Sequence, residues 1–116
     1  MKIRTVYFKV PDMKKAVAFW RAVLQIEPHK TFDEWHEFWV GQTRLGLLLE
    51  RNKEKAANNC VPVFEFASVE ELRQYLKRAQ ENGAKMVFDG LEDPDINSIV
   101  LADLFGHEFE FTKIHD

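Results

Sequence analysis

Apolar and polar residues alternate from Ile3 to Val10, with Val6, Phe8 and Val10 on one face and Thr5, Tyr7 and Lys9 on the other. A period of two sends successive side chains to opposite sides, so this segment predicts a strand with one buried face. Pro11-Asp12 ends it, and the Asp12 carboxylate suits a helix start because it can accept a free backbone N–H. The apolar spacing then changes to three and four residues through Met13, Ala16, Val17, Trp20, Val23 and Leu24, the stripe of an amphipathic helix. Ring-rich strands are predicted at His29–Phe32, Trp35–Val40 and Arg44–Glu50, with Gly41-Gln42-Thr43 turning between the last two. Residues 51–59 are polar and aperiodic and read as a linker.

The pattern then restarts. Val61 to Phe66 alternates, and Ser68-Val69-Glu70-Glu71 has the form of a capping box, in which the Ser68 hydroxyl and the Glu71 carboxylate each take an N–H of the first turn. Val69, Leu72, Leu76 and Ala79 make the second helical stripe, and Gly83 is placed to end that helix at positive φ. Lys85–Phe88, Ser98–Asp103 and His107–Lys113 predict three more strands, with a loop from Gly90 to Asn97.

Shifting the chain by 56 residues lays Val6, Phe8, Val10 and Asp12 on Pro62, Phe64, Phe66 and Ser68, and Ala16, Phe19 and Val23 on Leu72, Tyr75 and Ala79. Strand face, cap and helix stripe stay in register without a gap, which marks an internal repeat. The expected class is therefore α+β: one domain of residues 1–116 made of two β-α-β-β-β repeats, 1–50 and 61–116, joined by a linker over 51–60. One such unit buries only the helix-facing side of its sheet. Two units, within one chain or between chains, can close a curved, cup-shaped mixed sheet with the helices outside. The cup-facing residues are then Thr5, Tyr7 and Lys9 from the first strand, Val61, Val63 and Glu65 from the fifth, and Glu108, Glu110 and Thr112 from the eighth.

Composition narrows the function. Hydrophobic residues make up 46% of the 116 and include ten Phe and three Trp, enough for a packed core and a ring-lined cleft. The formal net charge is −3 with no basic stripe, which argues against nucleic acid. Cys60 is the single cysteine, so no internal disulfide forms and a reducing compartment is expected. The N-terminal apolar residues are interrupted by Lys9 and Asp12, unlike a signal peptide. The longest apolar stretch, Leu45 to Leu49, is too short to span a bilayer. A cytoplasmic protein with no membrane partner is expected.

Two stretches carry a resemblance to a known family: VPDMKKAVAFWRAVLQIEP near the start and LADLFGHEFEF near the end. They are similar to the opening and closing motifs of the glyoxalase/bleomycin-resistance/extradiol dioxygenase (vicinal oxygen chelate) superfamily. In the first, a strand ending in Val-x-Asp leads into a helix with a Phe-Trp pair, Phe19-Trp20, and the family's Leu-Gly reads Leu24-Gln25. In the second, Asp103, Gly106 and Glu110 match the closing Asp-Pro-Asp-Gly-x-x-x-Glu hairpin, while the Pro and second Asp are replaced.

The resemblance implies a metal site in some members, with one ligand each from the first, fourth, fifth and eighth strands, usually His or Gln, Glu, His and Glu. Carried onto this chain, those positions fall on Thr5, near Leu47, on Val61 and on Glu110. Only Glu110 keeps a ligating side chain, and a divalent ion needs several imidazole, carboxylate or thiolate donors. No metal and no cofactor is therefore expected. Nickel, zinc, manganese or iron enters only if that carry-over is wrong, or if Glu50, Glu65 and Glu110 hold a hard ion with a water.

The leading expectation is a metal-free small-molecule binding protein like the bleomycin-resistance branch, a homodimer holding its ligand in an aromatic, acidic cleft. The lining expected is Thr5, Tyr7, Lys9, Trp35, Trp39, Leu47, Val61, Val63, Glu65 and Glu110. Trp35 and Trp39 share a strand face with Glu37 and either line the cleft or pack between halves or across the dimer. Lys9 serves an anionic ligand or pairs with a cup acid. Two other readings stay open. One is a glyoxalase-like lyase, isomerase or dioxygenase with Glu110 catalytic, at a shifted metal site or as acid–base group. The other is a non-catalytic interaction module. His29, His36, His107 and His115 are not spaced as a ligand set and read as surface or strand-end residues, and Cys60 as an unreactive thiol.

Overall fold

The computed structural model describes residues 3–56 and 60–114. The chain divides into two compact units, Met1–Asn58 and Asn59–Asp116, and the division falls inside the stretch read as a linker. Each unit is a four-stranded mixed sheet with a helix on one face.

The first unit runs β1 (Thr5–Val10), α1 (Met13–Leu24), β2 (Lys30–Phe32), β3 (Trp35–Val40), β4 (Thr43–Leu49) and a short α2 (Lys53–Ala56). Its sheet order is β1-β4-β3-β2, with β1 parallel to β4 and the other pairs antiparallel. Asp12 caps α1 by accepting a hydrogen bond from Lys15 N at 3.0 Å. Gln25 ends α1 at φ 58°, where the Leu-Gly motif would put glycine, and its side-chain amide donates to Ala22 O at 2.8 Å. Phe8 stacks on Trp20 at 5.8 Å, and Phe19 meets the Trp20 ring edge-on at 5.1 Å. Together with Val10, Val23, Phe38, Leu45 and Leu47 these residues form the core between α1 and the sheet.

The second unit runs β5 (Val63–Phe66), α3 (Val69–Glu81), β6 (Lys85–Gly90), β7 (Ser98–Ala102) and β8 (Glu108–Lys113), in the sheet order β5-β8-β7-β6. Its core is Phe66, Leu72, Ala79, Ile99, Leu101, Phe109 and Phe111. Ser68 caps α3, its Oγ accepting from Glu71 N at 3.2 Å. The reciprocal bond, donated by the Ser68 backbone N–H to the Glu71 carboxylate, does not form among the described residues. Gly83 follows the helix at φ 101°. Ser68→Ala is expected to cost the second unit about 1 kcal/mol, the usual value of a serine cap. Far-UV circular dichroism during urea unfolding checks it.

Several boundaries differ from the sequence reading. The linker contains α2, whose start is capped by Asn52 Oδ1 accepting from Glu54 N at 3.0 Å. Four residues are too few to display a helical period. β5 begins at Val63, not Val61, and β6 continues to Gly90 through an irregularity between Met86 and Phe88. A bulge breaks strict alternation, so the pattern understates the strand. No helix of the described chain is long and apolar enough to cross a membrane.

Candidate functional site

In the first unit the residues opposite α1 line up across the sheet by cross-strand pairing. One row is Tyr7, Gly46, Glu37 and Lys30; a second is Lys9, Leu48, Trp35 and Phe32; a third is Thr5, Arg44 and Trp39. Paired residues on neighbouring strands point to the same side. This far face therefore gathers four aromatic rings, three cations and one carboxylate from four strands.

Glu37 is the centre. It is 3% exposed although its strand reads as half-polar. Its Oε2 lies 2.6 Å from His29 Nε2, 3.4 Å from Arg44 Nε and 4.0 Å from Lys30 Nζ, and its Oε1 accepts from Trp35 Nε1 at 3.2 Å. Burial pushes the Glu37 carboxyl up. Hydrogen bonds from His29 and Trp35, with the charges of Lys30 and His29, outweigh it and hold the group below its ordinary range. An ionised carboxylate only accepts hydrogen bonds, so His29 Nε2 carries a proton toward it.

The rings are held by the same cluster. The His29 imidazole stacks on Trp39 at 5.0 Å and 26°, and the Arg44 guanidinium carbon lies 4.0 Å from the Trp39 ring centre. Tyr7 meets Trp35 edge-on at 5.5 Å. A Cβ at Gly46 would collide with Cη2 and Cζ2 of Trp35, so the six-membered ring of the indole rests against the bare backbone of β4. Tyr7 and Trp39 nevertheless stay 44% and 43% exposed.

In the second unit the corresponding face carries the rows Val63, Glu110, Val100 and Phe88; Glu65, Thr112, Ser98 and Gly90; and Glu108, Ala102 and Lys85. Glu110 is half-buried between Val63 and Val100, while Glu65 and Val63 are exposed, as is Val61 just ahead of β5. Glu65 and Glu110 sit on neighbouring rows and share no hydrogen bond among the described residues. The rings and the acids expected to line one cleft thus belong to different units: Trp35 and Trp39 to the first, Glu65 and Glu110 to the second.

A comparison with protein-family models matches residues 2–111 to the Glyoxalase/Bleomycin resistance protein/Dioxygenase superfamily. The chain belongs to that superfamily. Among solved structures, it is similar to the hypothetical protein SA1046 from S. aureus, at 18% identity and TM-score 0.79, covering 98% of this chain and 94% of that one. A glyoxalase-related enzyme from Fulvimarina pelagi matches at 14% identity and TM-score 0.80, with 98% and 88% covered. A glyoxalase/bleomycin resistance protein from Albidiferax ferrireducens T118 matches at 18% identity and TM-score 0.79, with 97% and 98% covered. At such identities these likenesses speak for the fold. A comparison with curated proteins finds no match.

The superfamily's ligand positions can now be placed on the sheets. Thr5 faces the ring side of the first sheet beside Arg44. Leu47 does not: it pairs with Phe8, is 0% exposed and points into the core under α1, which corrects its assignment to the binding face. A one-residue step in a strand reverses the face. The two neighbours that do share the ring face, Gly46 and Leu48, have no donor side chain, so the fourth-strand position lacks a ligand in either register. No group of three or more His, Cys, Asp or Glu side chains arranged to hold a metal ion occurs among the described residues.

The histidines also sort differently from the sequence reading. His29 is part of the Glu37 cluster. His107 is buried and its Nδ1 lies 3.2 Å from Asp103 Oδ2 inside the β7–β8 turn, where Asp103 Oδ1 accepts from the His107 and Phe105 backbone. His36 lies on the α1 side of β3, where burial and the charge of Arg21 lower its pKa against the opposing charge of Asp33. His115 is outside the described residues. Cys60 is exposed. The residues that sequence reasoning missed are Glu37, His29, Lys30 and Arg44; the signal was the shared face of Trp35, Glu37 and Trp39, read for its rings and not for its carboxylate.

Proposed function

We propose that this protein binds a small, ring-bearing molecule on the far face of its first sheet, without the divalent ion that metal-dependent members of the superfamily use. The observation that carries the reading is the Tyr7–Trp35–Trp39 ring set fixed around the buried Glu37. Rings already locked by hydrogen bonds and neighbours lose little freedom when a ligand arrives, so more of the burial energy remains as affinity. The exposed parts of Tyr7 and Trp39 supply apolar area to bury. Thr5, Val61 and, on the fourth strand, Gly46 or Leu48 at three of the four ligand positions support the metal-free part, since none carries an imidazole, carboxylate or thiolate.

Two measurements test it. Titration of the purified protein with planar aromatic compounds, read by tryptophan fluorescence, is expected to give saturable quenching that Trp39→Leu weakens about tenfold or more, as expected of a ring anchor worth about 2 kcal/mol. Full affinity in that variant would remove the platform. Calorimetry with nickel, zinc, manganese and iron(II) is expected to show no tight site. One tightly held ion per chain would overturn the metal-free reading.

A further inference from the structure

Arg44 points to the chemical class of that ligand. Its side chain is only 17% exposed, yet none of its N–H groups donates a hydrogen bond to a described residue, and its buried Nε, ion-paired with Glu37, has no hydrogen-bond acceptor. A guanidinium carries five donors in one plane, and leaving buried donors unmet is unfavourable. The nearest acceptor does not meet the buried Nε–H: Arg44 Nε sits 3.4 Å from Glu37 Oε2 outside hydrogen-bonding geometry, while the Glu37 oxygens are hydrogen-bonded to His29 and Trp35. Nor is the charge balanced. Among the strand residues of this face, Lys9, Lys30 and Arg44 supply three positive charges against one carboxylate. The aromatic part of the far face is therefore basic, although the whole chain carries a net charge of −3.

Resting on the ring-platform reading, we propose that the ligand is a small aromatic oxyanion, a carboxylate or phosphate ester. Arg44 takes its oxyanion through the planar guanidinium fork, Lys30 adds charge, and the ring of the ligand lies against Tyr7 and Trp39. Carboxylate and phosphate share the geometry that a guanidinium meets with two parallel N–H···O bonds. Trp39 beneath the guanidinium holds Arg44 in place before the ligand arrives.

The experiment uses the full chain with four probes of one size: benzoate, phenyl phosphate, benzyl alcohol and benzylamine, titrated at constant ionic strength and followed by tryptophan fluorescence. One or both anions are expected to bind about tenfold or more tightly than the alcohol and the amine, a ratio that corresponds to one good charge-assisted contact. Whichever anion leads distinguishes carboxylate from phosphate. Arg44→Met is expected to erase the preference, and Arg44→Lys, which keeps charge but not the fork, to restore only part of it. Urea midpoints of both variants confirm that they are folded. Equal binding of benzyl alcohol and the anions, lost in Trp39→Leu, would overturn the anion assignment and leave the platform standing. Retention of the preference in a folded Arg44→Met protein would overturn it as well. Saturable binding by none of the four would remove both.

Discussion

Glu37→Ala is expected to destabilise the first unit by about 3 kcal/mol or more, the cost of removing one partner from a buried charge cluster. The carboxylate is hydrogen-bonded to His29 and Trp35 and forms ion pairs with Arg44 and Lys30. Without it the indole N–H loses its acceptor and three basic side chains are left facing one another. Urea unfolding followed by tryptophan fluorescence reads the right part of the molecule, because Trp20, Trp35 and Trp39 all lie in the first unit. Glu37→Gln keeps an oxygen for Trp35 and is expected to lose less. A shift below about 1 kcal/mol for the alanine variant, the scale of an ordinary hydrogen bond, would show that the cluster is not a stability element. The pH dependence has a definite sign. The folded carboxyl titrates below its unfolded value, so its contribution is complete above the ordinary glutamate range and is lost as pH falls through the lower folded pKa. The wild-type protein should therefore lose stability in acid from this group, and Glu37→Gln should lack that component.

Gly46→Val is expected to cost about 1–3 kcal/mol, the usual penalty of forcing atoms into a packed site. Strand propensity alone predicts the opposite, since β-branched residues are favoured in strands and glycine weakens them. The steric fact decides the sign: a Cβ at Gly46 meets the Trp35 indole, and stands 3.0 Å from Tyr7 Cβ. Displacing Trp35 also breaks its hydrogen bond to Glu37 and its edge contact with Tyr7. The variant should show a lowered urea midpoint together with a changed near-ultraviolet circular dichroism spectrum. A more stable protein with the wild-type aromatic spectrum would mean that Trp35 does not depend on the bare backbone of β4.

The two predictions concern residues of unequal visibility. The core positions Phe8, Val10, Trp20 and Leu72, the caps Asp12 and Ser68, and the turn glycines Gly41 and Gly83 follow from period and local chemistry, because each depends on neighbours within four residues in the chain. Glu37 does not. In the sequence it is one acid between two tryptophans. Its meaning comes from His29 just ahead of β2, Lys30 on β2 and Arg44 on β4, which meet it only through strand register. Leu47 shows the same limit from the other side. Alternation says that it and Gly46 face opposite ways, but not which of them faces α1.

The sequence by itself therefore determined the repeated strand–helix–strand order, the N-caps of α1 and α3 and the family, since these rest on short-range periodicity and on motifs contiguous in the chain. Only the tertiary structure decided that the carboxylate and cations of β2, β3 and β4 form one cluster under the rings, and that Leu47 belongs to the core. Pairing between strands distant in sequence sets both, and a shift of one residue would reverse every side chain on the strand.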